Sequence, residues 1–259
     1  MKLKFLGTGG GRYVTGEQKR RTAGVVVKTE KTQLHIDPGP GALVYSNQEL
    51  DNPEETEAVL VSHNHPDHSN DVNCIIEQIT EINDFPGTVI GNQTAMEGYS
   101  DIDKVVSRYH KNLCVNFEIM GEQDSYTFKD LEIETQEMFH SDPKTIGFTL
   151  EDEDNKIGFW TDTDYSDELT VFYDDCDTLV VYCTHPRGED FKGHTHLSDI
   201  PSIAEETDAS TILITHFGYK FLESDLDEQK QWLEDEISQK VIFATDNMEY
   251  PGDRSLADF

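Results

Sequence analysis

Short apolar runs separated by turns fill the first quarter of the chain. The segments Lys2–Leu6, Ala23–Lys28 and Gln33–Ile36 are rich in aliphatic residues, which predicts three strands. Ala58–Ser62 is short and almost wholly apolar, which is typical of a strand buried within a sheet. The chain therefore begins as a β-rich structure.

Helical spacing appears further along the chain. Asp71–Ile82 carries aliphatic residues three and four positions apart, the period of one face of a helix. Leu226–Ile237 is amphipathic with the same period, and Asp101–Tyr109 is also predicted to be helical.

Strands and hairpins separate these predicted helices. Ile146–Leu150 and Lys156–Trp160 flank the acidic turn EDEDN, which predicts a hairpin. Further predicted strands lie within 115–138 and at Val89–Ile90, Thr178–Tyr182, Thr211–Ile214 and Val241–Ala244. This mixture of strand–helix units and hairpins predicts an α/β fold with mixed sheets in one domain, residues 1–259.

The charge of the chain limits the kinds of molecule that it is expected to bind. Lys and Arg number 20 against 52 Asp and Glu, which gives a formal net charge of −32 at pH 7. Such a field repels polyanions, so a long nucleic acid is an unfavourable partner. The four cysteines include no CxxC pair, which argues against a cysteine zinc site and favours free thiols in a reducing compartment. No segment is apolar enough to span a membrane, so we expect a cytoplasmic protein.

The strongest chemical signal is the sequence His63-Asn-His65-Pro-Asp67-His68, directly after a predicted buried strand. Imidazole and carboxylate groups are good ligands for divalent transition metals. His63 and His65 can face one way on an extended loop, while Asp67 and His68 turn to another. One short loop can therefore serve two neighbouring metal ions.

This HxHxDH element resembles the signature of the metallo-β-lactamase superfamily, and the LGTGGG and HIDPGPG turns resemble that family as well. The family's remaining metal ligands match His140, Asp162 and His216, each of which follows an apolar run. The resemblance implies a four-layer αββα sandwich, in which two mixed β-sheets are flanked by helices. It also implies a first metal site at His63, His65 and His140, a second at Asp67, His68 and His216, and a bridging Asp162.

The resemblance implies two divalent metal ions, zinc first, with manganese and iron as alternatives. In such hydrolases a hydroxide between the ions acts as the nucleophile. Asp67 is expected to orient the attacking water besides binding metal.

A second cluster of histidines resembles the segment in which the phosphodiesterase branch, with tRNase Z and cyclic phosphodiesterases, keeps a general acid. Two residues match, His194 and His196, and the HLS sequence that begins at His196 favours the latter. The alternative is that both histidines only cap the following helix. Basic side chains that could grip an anionic substrate are Arg12, Arg20, Arg21 and Arg187, unless they pair with surface carboxylates.

The sequence thus predicts a dinuclear metal-dependent hydrolase of a small anionic phosphodiester. The short segment between His140 and Asp162 leaves no room for the long substrate-gripping arm of tRNase Z, which argues against tRNA processing. Hydrolysis of a lactone or thioester, and a metal-bearing sensor or binding module without turnover, remain the alternatives. A homodimer also remains open.

Overall fold

The computed structural model describes residues 1–189 and 191–251, which form two mixed sheets with helices outside them. The strands of the first sheet are β1 (Lys2–Phe5), β2 (Val25–Lys28), β3 (Gln33–Ile36), β4 (Thr56–Val61), β5 (Thr88–Asn92), β6 (Asn116–Met120) and β15 (Glu249–Tyr250). Their spatial order is β15-β1-β2-β3-β4-β5-β6, with antiparallel pairs from β15 to β3 and parallel pairs from β3 to β6.

The second sheet repeats this plan. Its strands are β7 (Ser125–Phe128), β8 (Leu131–Glu137), β9 (Ile146–Glu151), β10 (Lys156–Trp160), β11 (Thr178–His185), β13 (Thr211–Thr215) and β14 (Lys240–Phe243), and the short β12 (Thr195–His196) pairs with β11. The order is β14-β13-β11-β10-β9-β8-β7. The predicted hairpin is confirmed, since β9 and β10 are antiparallel with Leu150 opposite Ile157.

Short helices cover the outer faces of both sheets. The helices are α1 (Gly11–Glu17), α2 (Ala42–Glu49), α3 (Pro66–Ser69), α4 (Val72–Glu77), α5 (Gln93–Glu97), α6 (Arg108–Leu113), α7 (Asp167–Thr170), α8 (Ile200–Glu205), α9 (Tyr219–Glu223) and α10 (Leu226–Glu236). A π-helical turn, Gln78–Ile82, extends α4 to the predicted end of that helix. Within the described residues, every helix falls short of the length and apolarity that a membrane span needs.

Three apolar clusters define the layers. Phe5 and Ile36 of the first sheet pack with Phe148 and Phe159 of the second, so the largest cluster fills the space between the sheets. A second cluster packs α8 and α10 on the outer face of the second sheet, and a third packs α4 and α5 on the first. These layers are αββα, so the expected fold class is confirmed.

The helix predicted at Asp101–Tyr109 is wrong. Residues 101–107 form turns and a bridge, and the helix is instead α6, Arg108–Leu113. Ser107 sets its start, because the Ser107 hydroxyl accepts a hydrogen bond from the backbone N–H of His110 and caps the first turn. Val106 is buried in the cluster that packs on the first sheet, which ties the segment before α6 to the core in a non-helical conformation.

Candidate metal centre

The loop after β4 supplies four of the seven expected metal ligands. His65 is in extended conformation, with φ −61° and ψ 145°, and Pro66 then begins α3. Proline at a first helical position is favourable because its fixed φ suits the helix and its missing N–H is not needed there. His63 and His65 therefore precede the helix, whereas Asp67 and His68 lie on its first turn and belong to a different group of candidate ligands.

The first set of ligands is His63, His65, His140 and Asp162. Nδ1 of His65 lies 3.0 Å from Nε2 of His63 and 3.1 Å from Nε2 of His140. Oδ2 of Asp162 lies 3.7 Å from Nε2 of His63 and 3.9 Å from Nε2 of His140. His140 and Asp162 come from loops after β8 and β10, so both sheets contribute to this set.

The second set is Asp67, His68 and His216. The Nε2 atoms of His68 and His216 are 3.0 Å apart, and Oδ2 of Asp67 lies 3.6 and 3.3 Å from them. Oδ2 of Asp162 is only 3.4 Å from Nε2 of His68. Asp162 therefore lies between the two sets, as the resemblance to the family implies.

These contacts fit cations better than hydrogen bonds alone. Metal–nitrogen distances of about 2.1 Å in a tetrahedral site separate the ligand atoms by about 3.4 Å, close to the spacing in both sets. Nδ1 of His65 can carry only one hydrogen, yet two other ring nitrogens approach it closely. Oδ1 of Asp162 is buried without a hydrogen-bond partner in the described residues. A divalent cation would satisfy these atoms.

Burial keeps the histidines of the first set in the neutral form that binds metal. It lowers the pKa of His63 well below its usual value, lowers that of His65, and lowers that of His140 to about 4. His68 in the second set differs. Burial would lower its pKa too, but the carboxylates of Asp67 and Asp37 raise the pKa well above its usual value.

Asp37 contacts the second set directly through His68 and the first set through Ser62. Its Oδ2 lies 3.1 Å from Nδ1 of His68 and accepts hydrogen bonds from the hydroxyls of Ser62 at 2.8 Å and Tyr182 at 3.1 Å. The Ser62 hydroxyl in turn lies 3.0 Å from Nδ1 of His63. Such partners fix the orientation of ligand rings and strengthen their binding. The sequence pattern alone predicts no role for Asp37, Ser62 or Tyr182.

Asp142 connects the two loops that carry the first set. Its Oδ2 accepts hydrogen bonds from the backbone N–H of Asn64 at 3.0 Å, from the Asn92 side chain at 3.2 Å and from the Thr94 hydroxyl. Its Oδ1 accepts from the backbone N–H of Lys144 at 3.0 Å. The buried carboxylate therefore holds the loop of His63 and His65 against the loop of His140.

Glycine at position 10 is required by the close approach of His216. A Cβ at Gly10 would lie 2.2 Å from Nε2 of His216, well inside van der Waals contact. The glycine-rich turn after β1 is therefore a contact surface for the second set. The backbone N–H of the next residue, Gly11, donates a hydrogen bond of 2.6 Å to Oδ2 of Asp67.

The two candidate acids occupy different surroundings. Nδ1 of His194 lies 3.7 Å from Oδ1 of Asp162, and its ring is 4.9 Å from that of His140 between centroids. Burial would lower the pKa of His194, but Asp162 raises it above its usual value. Nε2 of His196 instead lies 2.9 Å from the backbone nitrogen of Phe191, which donates a hydrogen bond to it. The structure brings His194 to the metal sets.

Three of the four arginines proposed for substrate binding have structural partners. Arg20 donates to the carbonyl of Ala244 at 2.8 Å. Arg21 pairs with Glu49 at 2.9 Å, and Arg187 pairs with Glu228 at 3.1 Å. The fourth, Arg12, is exposed and lines a cleft beside the ligands.

This cleft has a volume of about 480 Å³ and opens beside His194. Its lining is Gly10, Gly11, Arg12, Tyr13, Thr184, His185, Phe191, His194, Gly218, Tyr219 and Lys220. Arg12, Lys220 (which pairs with Glu189) and several aromatic rings therefore surround a space next to the candidate ligands. Of these residues, Arg12 and His194 were predicted from the sequence. The aromatic residues were not, because exposed aromatic residues scattered along a chain give no local signal.

Comparison with known proteins identifies the family. The profile of the β-lactamase superfamily domain matches residues 32–217, a range that includes all seven candidate ligands. An uncharacterized protein of Methanocaldococcus jannaschii is 32% identical over 223 residues, which are 85% of this chain and 84% of that protein.

Solved structures show the same fold at low sequence identity. The metallo-β-lactamase fold protein YhfI of Bacillus subtilis has a TM-score of 0.78 at 19% identity, covering 96% of this chain and 98% of its own. A diphosphatase of the PhnP family has a TM-score of 0.69 at 16% identity, with 96% of each chain covered. The short form of human tRNase Z has a TM-score of 0.69 at 16% identity, covering 96% and 98%.

The superfamily match extends over most of the chain, and its range contains every candidate ligand of the two sets. The resemblance inferred from the HxHxDH element is confirmed. This chain belongs to the β-lactamase superfamily and has the metallo-β-lactamase fold.

Proposed function

We propose that this protein is a hydrolase of a small anionic phosphodiester that uses two divalent metal ions, zinc first. The observation that carries the proposal is the position of His194, which contacts Asp162 and lines the cleft beside both ligand sets. Bound divalent ions would supply Lewis acidity toward the phosphoryl group and lower the pKa of a water molecule.

We assign the general acid to His194 rather than His196. Nδ1 of His194 is within 3.2 Å of the Thr184 hydroxyl, which also lies 3.1 Å from Nδ1 of His216. This contact fixes the ring, and Nε2 of His194 has no hydrogen-bond partner in residues 1–189 and 191–251. Nε2 is therefore the atom that gives its proton to the leaving oxygen, a step that an imidazole can perform near neutral pH.

The cleft is suited to a small anion. Arg12 and Lys220 line it, but Lys220 pairs with Glu189 at 2.5 Å, so the positive charge offered to an anion comes from Arg12. Arg12 forms no ion pair with any described residue, so its guanidinium is available to a phosphate. Asp67, whose Oδ2 accepts a hydrogen bond from the backbone N–H of Gly11, would orient a water molecule beside the second set.

The fold neighbours include a diphosphatase of the PhnP family and a tRNase Z, whose names are consistent with cleavage at phosphorus. The charge of this chain disfavours a long nucleic acid. A lactone or thioester hydrolase on the same fold is the second candidate, and a metal-binding module without turnover is the third.

The deciding experiment compares three substrates on metal-loaded protein: bis-p-nitrophenyl phosphate, a lactone and a thioester. We expect hydrolysis of the phosphodiester and much slower turnover of the other two. Faster turnover of the lactone or thioester would replace the proposal with the second candidate. Full metal loading with no turnover of any substrate would favour the third.

A further inference from the structure

The cleft carries an aromatic surface beyond the groups that the proposed chemistry uses. Tyr13, Phe191 and Tyr219 line it and are 69%, 56% and 38% exposed. Single exposed apolar residues are common, but three aromatic rings around one cleft form a recognition surface. Hydrolysis at the metal ligands requires none of them.

Phe191 and His185 form a stacked pair with one open side. Their ring centroids are 5.1 Å apart and their planes differ by 15°. His185 supports one face of the Phe191 ring, and the exposure of Phe191 shows that another part of the ring remains accessible. Nδ1 of His185 is buried without a hydrogen-bond partner in the described residues, an arrangement that costs free energy.

The stacked pair lies on the side of the proposed general acid. The ring centroid of Phe191 is 5.7 Å from that of His194. A group held on Phe191 is therefore next to the atom that His194 protonates. The general acid serves the departing oxygen, so the group on Phe191 belongs to the leaving alcohol.

We propose that Phe191, supported by His185, is a binding platform for a planar aromatic group on the leaving alcohol of the substrate. The inference rests on the proposed function, because His194 defines the leaving side. The ligand class is an aryl or heteroaryl alcohol esterified to a small anionic phosphate. Tyr13 and Tyr219, whose centroids are 6.1 Å apart in an edge-to-face arrangement, line the same cleft.

The test measures binding by calorimetry to metal-loaded protein, so it does not depend on turnover. The probes are phenylphosphonate, cyclohexylphosphonate and methylphosphonate, which share the anionic group and differ in the attached group. We expect phenylphosphonate to bind roughly threefold to tenfold more tightly than cyclohexylphosphonate, the range expected for an aromatic stacking contact. Adenosine monophosphate is a fourth probe. If it binds more tightly than phenylphosphonate, the platform is assigned to a nucleobase. If it binds more weakly, the platform is assigned to a simple aryl group.

Variants locate the preference. Phe191→Ala should abolish the preference for phenyl over cyclohexyl, whereas Phe191→Trp should preserve it. Tyr109→Ala is the matched control, since Tyr109 is 60% exposed on α6 and does not line the cleft. Equal binding of phenyl and cyclohexyl probes to the unmodified protein, or an unchanged preference in Phe191→Ala, would overturn the inference.

The inference and the proposed function fail in different ways. If phosphodiesters are hydrolysed but binding shows no aromatic preference, the inference is wrong and the function stands. If the aromatic preference depends on Phe191 but no phosphodiester is cleaved, the platform stands and the assignment to a phosphodiester leaving group fails.

Discussion

Nδ1 of His194 lies 3.7 Å from Oδ1 of Asp162, the carboxylate that stands between the two ligand sets. The same ring lines the cleft, so one imidazole contacts the candidate metal centre and also faces the space beside it. This relationship would place the proposed proton donor next to the candidate metal centre without making it one of the seven expected ligands. Its removal should therefore impair the reaction more than metal binding.

We expect His194→Ala to retain its metal ions and to lower kcat by about 10²–10⁴ for an ester with a poor leaving group. The loss should be much smaller for p-nitrophenolate, which leaves readily without a proton. His196→Ala tests the alternative assignment, in which His196 is the general acid, although Nε2 of His196 accepts a hydrogen bond from the backbone N–H of Phe191. A loss that depends on the leaving group in His196→Ala, and not in His194→Ala, would return the acid to His196.

Asp162→Ala should lower the metal content below two ions per chain, because the carboxylate lies within 4 Å of nitrogens in both sets. Elemental analysis after loading and dialysis measures this content, and circular dichroism checks the fold. Asp162→Asn preserves the shape and removes the charge, so it separates the two contributions. Two tightly held ions in Asp162→Ala would show that this residue is not shared.

Asp142→Ala should weaken metal binding at the first set by roughly 10- to 100-fold, the usual effect of losing a residue that supports metal ligands. The cause is the lost hydrogen bond to the backbone of Asn64, which lies between His63 and His65. Competition with a chromogenic chelator measures the affinity. Asp124→Ala is the control, since Asp124 accepts from the backbone N–H of Gly121 in an exposed turn. Equal affinities in both variants would contradict this role.

Gly10→Ala should reduce occupancy of the second set, because the new methyl group would overlap the imidazole of His216. Gly16→Ala is the matched control within the neighbouring helix, since a Cβ there meets no atom within 4 Å. Alanine in a helix is also about 1 kcal/mol more favourable than glycine. We therefore expect metal content to fall in the first variant only, and a fall in both would refute the steric explanation.

His35 should make the folded state sensitive to acid. Burial lowers its pKa from 6.5 to about 4, so the folded state resists protonation that the unfolded chain accepts. Burial of His35 therefore has no effect on the pH dependence of stability above pH 6.5. As the pH falls from 6.5 toward 4, it lowers the free energy of unfolding by on the order of 3 kcal/mol. Urea unfolding of the parent and His35→Gln at several pH values measures this effect. Parallel pH dependence in the two proteins would contradict it.

The sequence predicted the parts of the site that depend on local order. His63, His65, Asp67 and His68 lie within six residues, and Pro66 marks the point at which the extended segment becomes the helical turn. The role of Asp37 was not predictable in this way. Its contact with His68 depends on the parallel pairing of β3 with β4, which brings two chain-distant strand ends together.

Side-chain partners also escaped prediction from the sequence. Arg20 and Arg21 follow the glycine-rich turn near the ligands, yet they bond to Ala244 and Glu49, residues far away in the chain. His194 and His196 are two positions apart, and the sequence alone does not distinguish their surroundings. Gly193, with φ 84°, and the short strand after it give the two rings different surroundings.

His68 and His216 are 148 residues apart in the chain, yet their Nε2 atoms nearly touch. One follows a strand of the first sheet and the other a strand of the second. An ion held between them would act as a reversible clasp that closes a long loop, much as a disulfide does. The temperature of unfolding should therefore rise with free metal concentration. A chelator would act as a denaturant of the whole sandwich as well as an inhibitor.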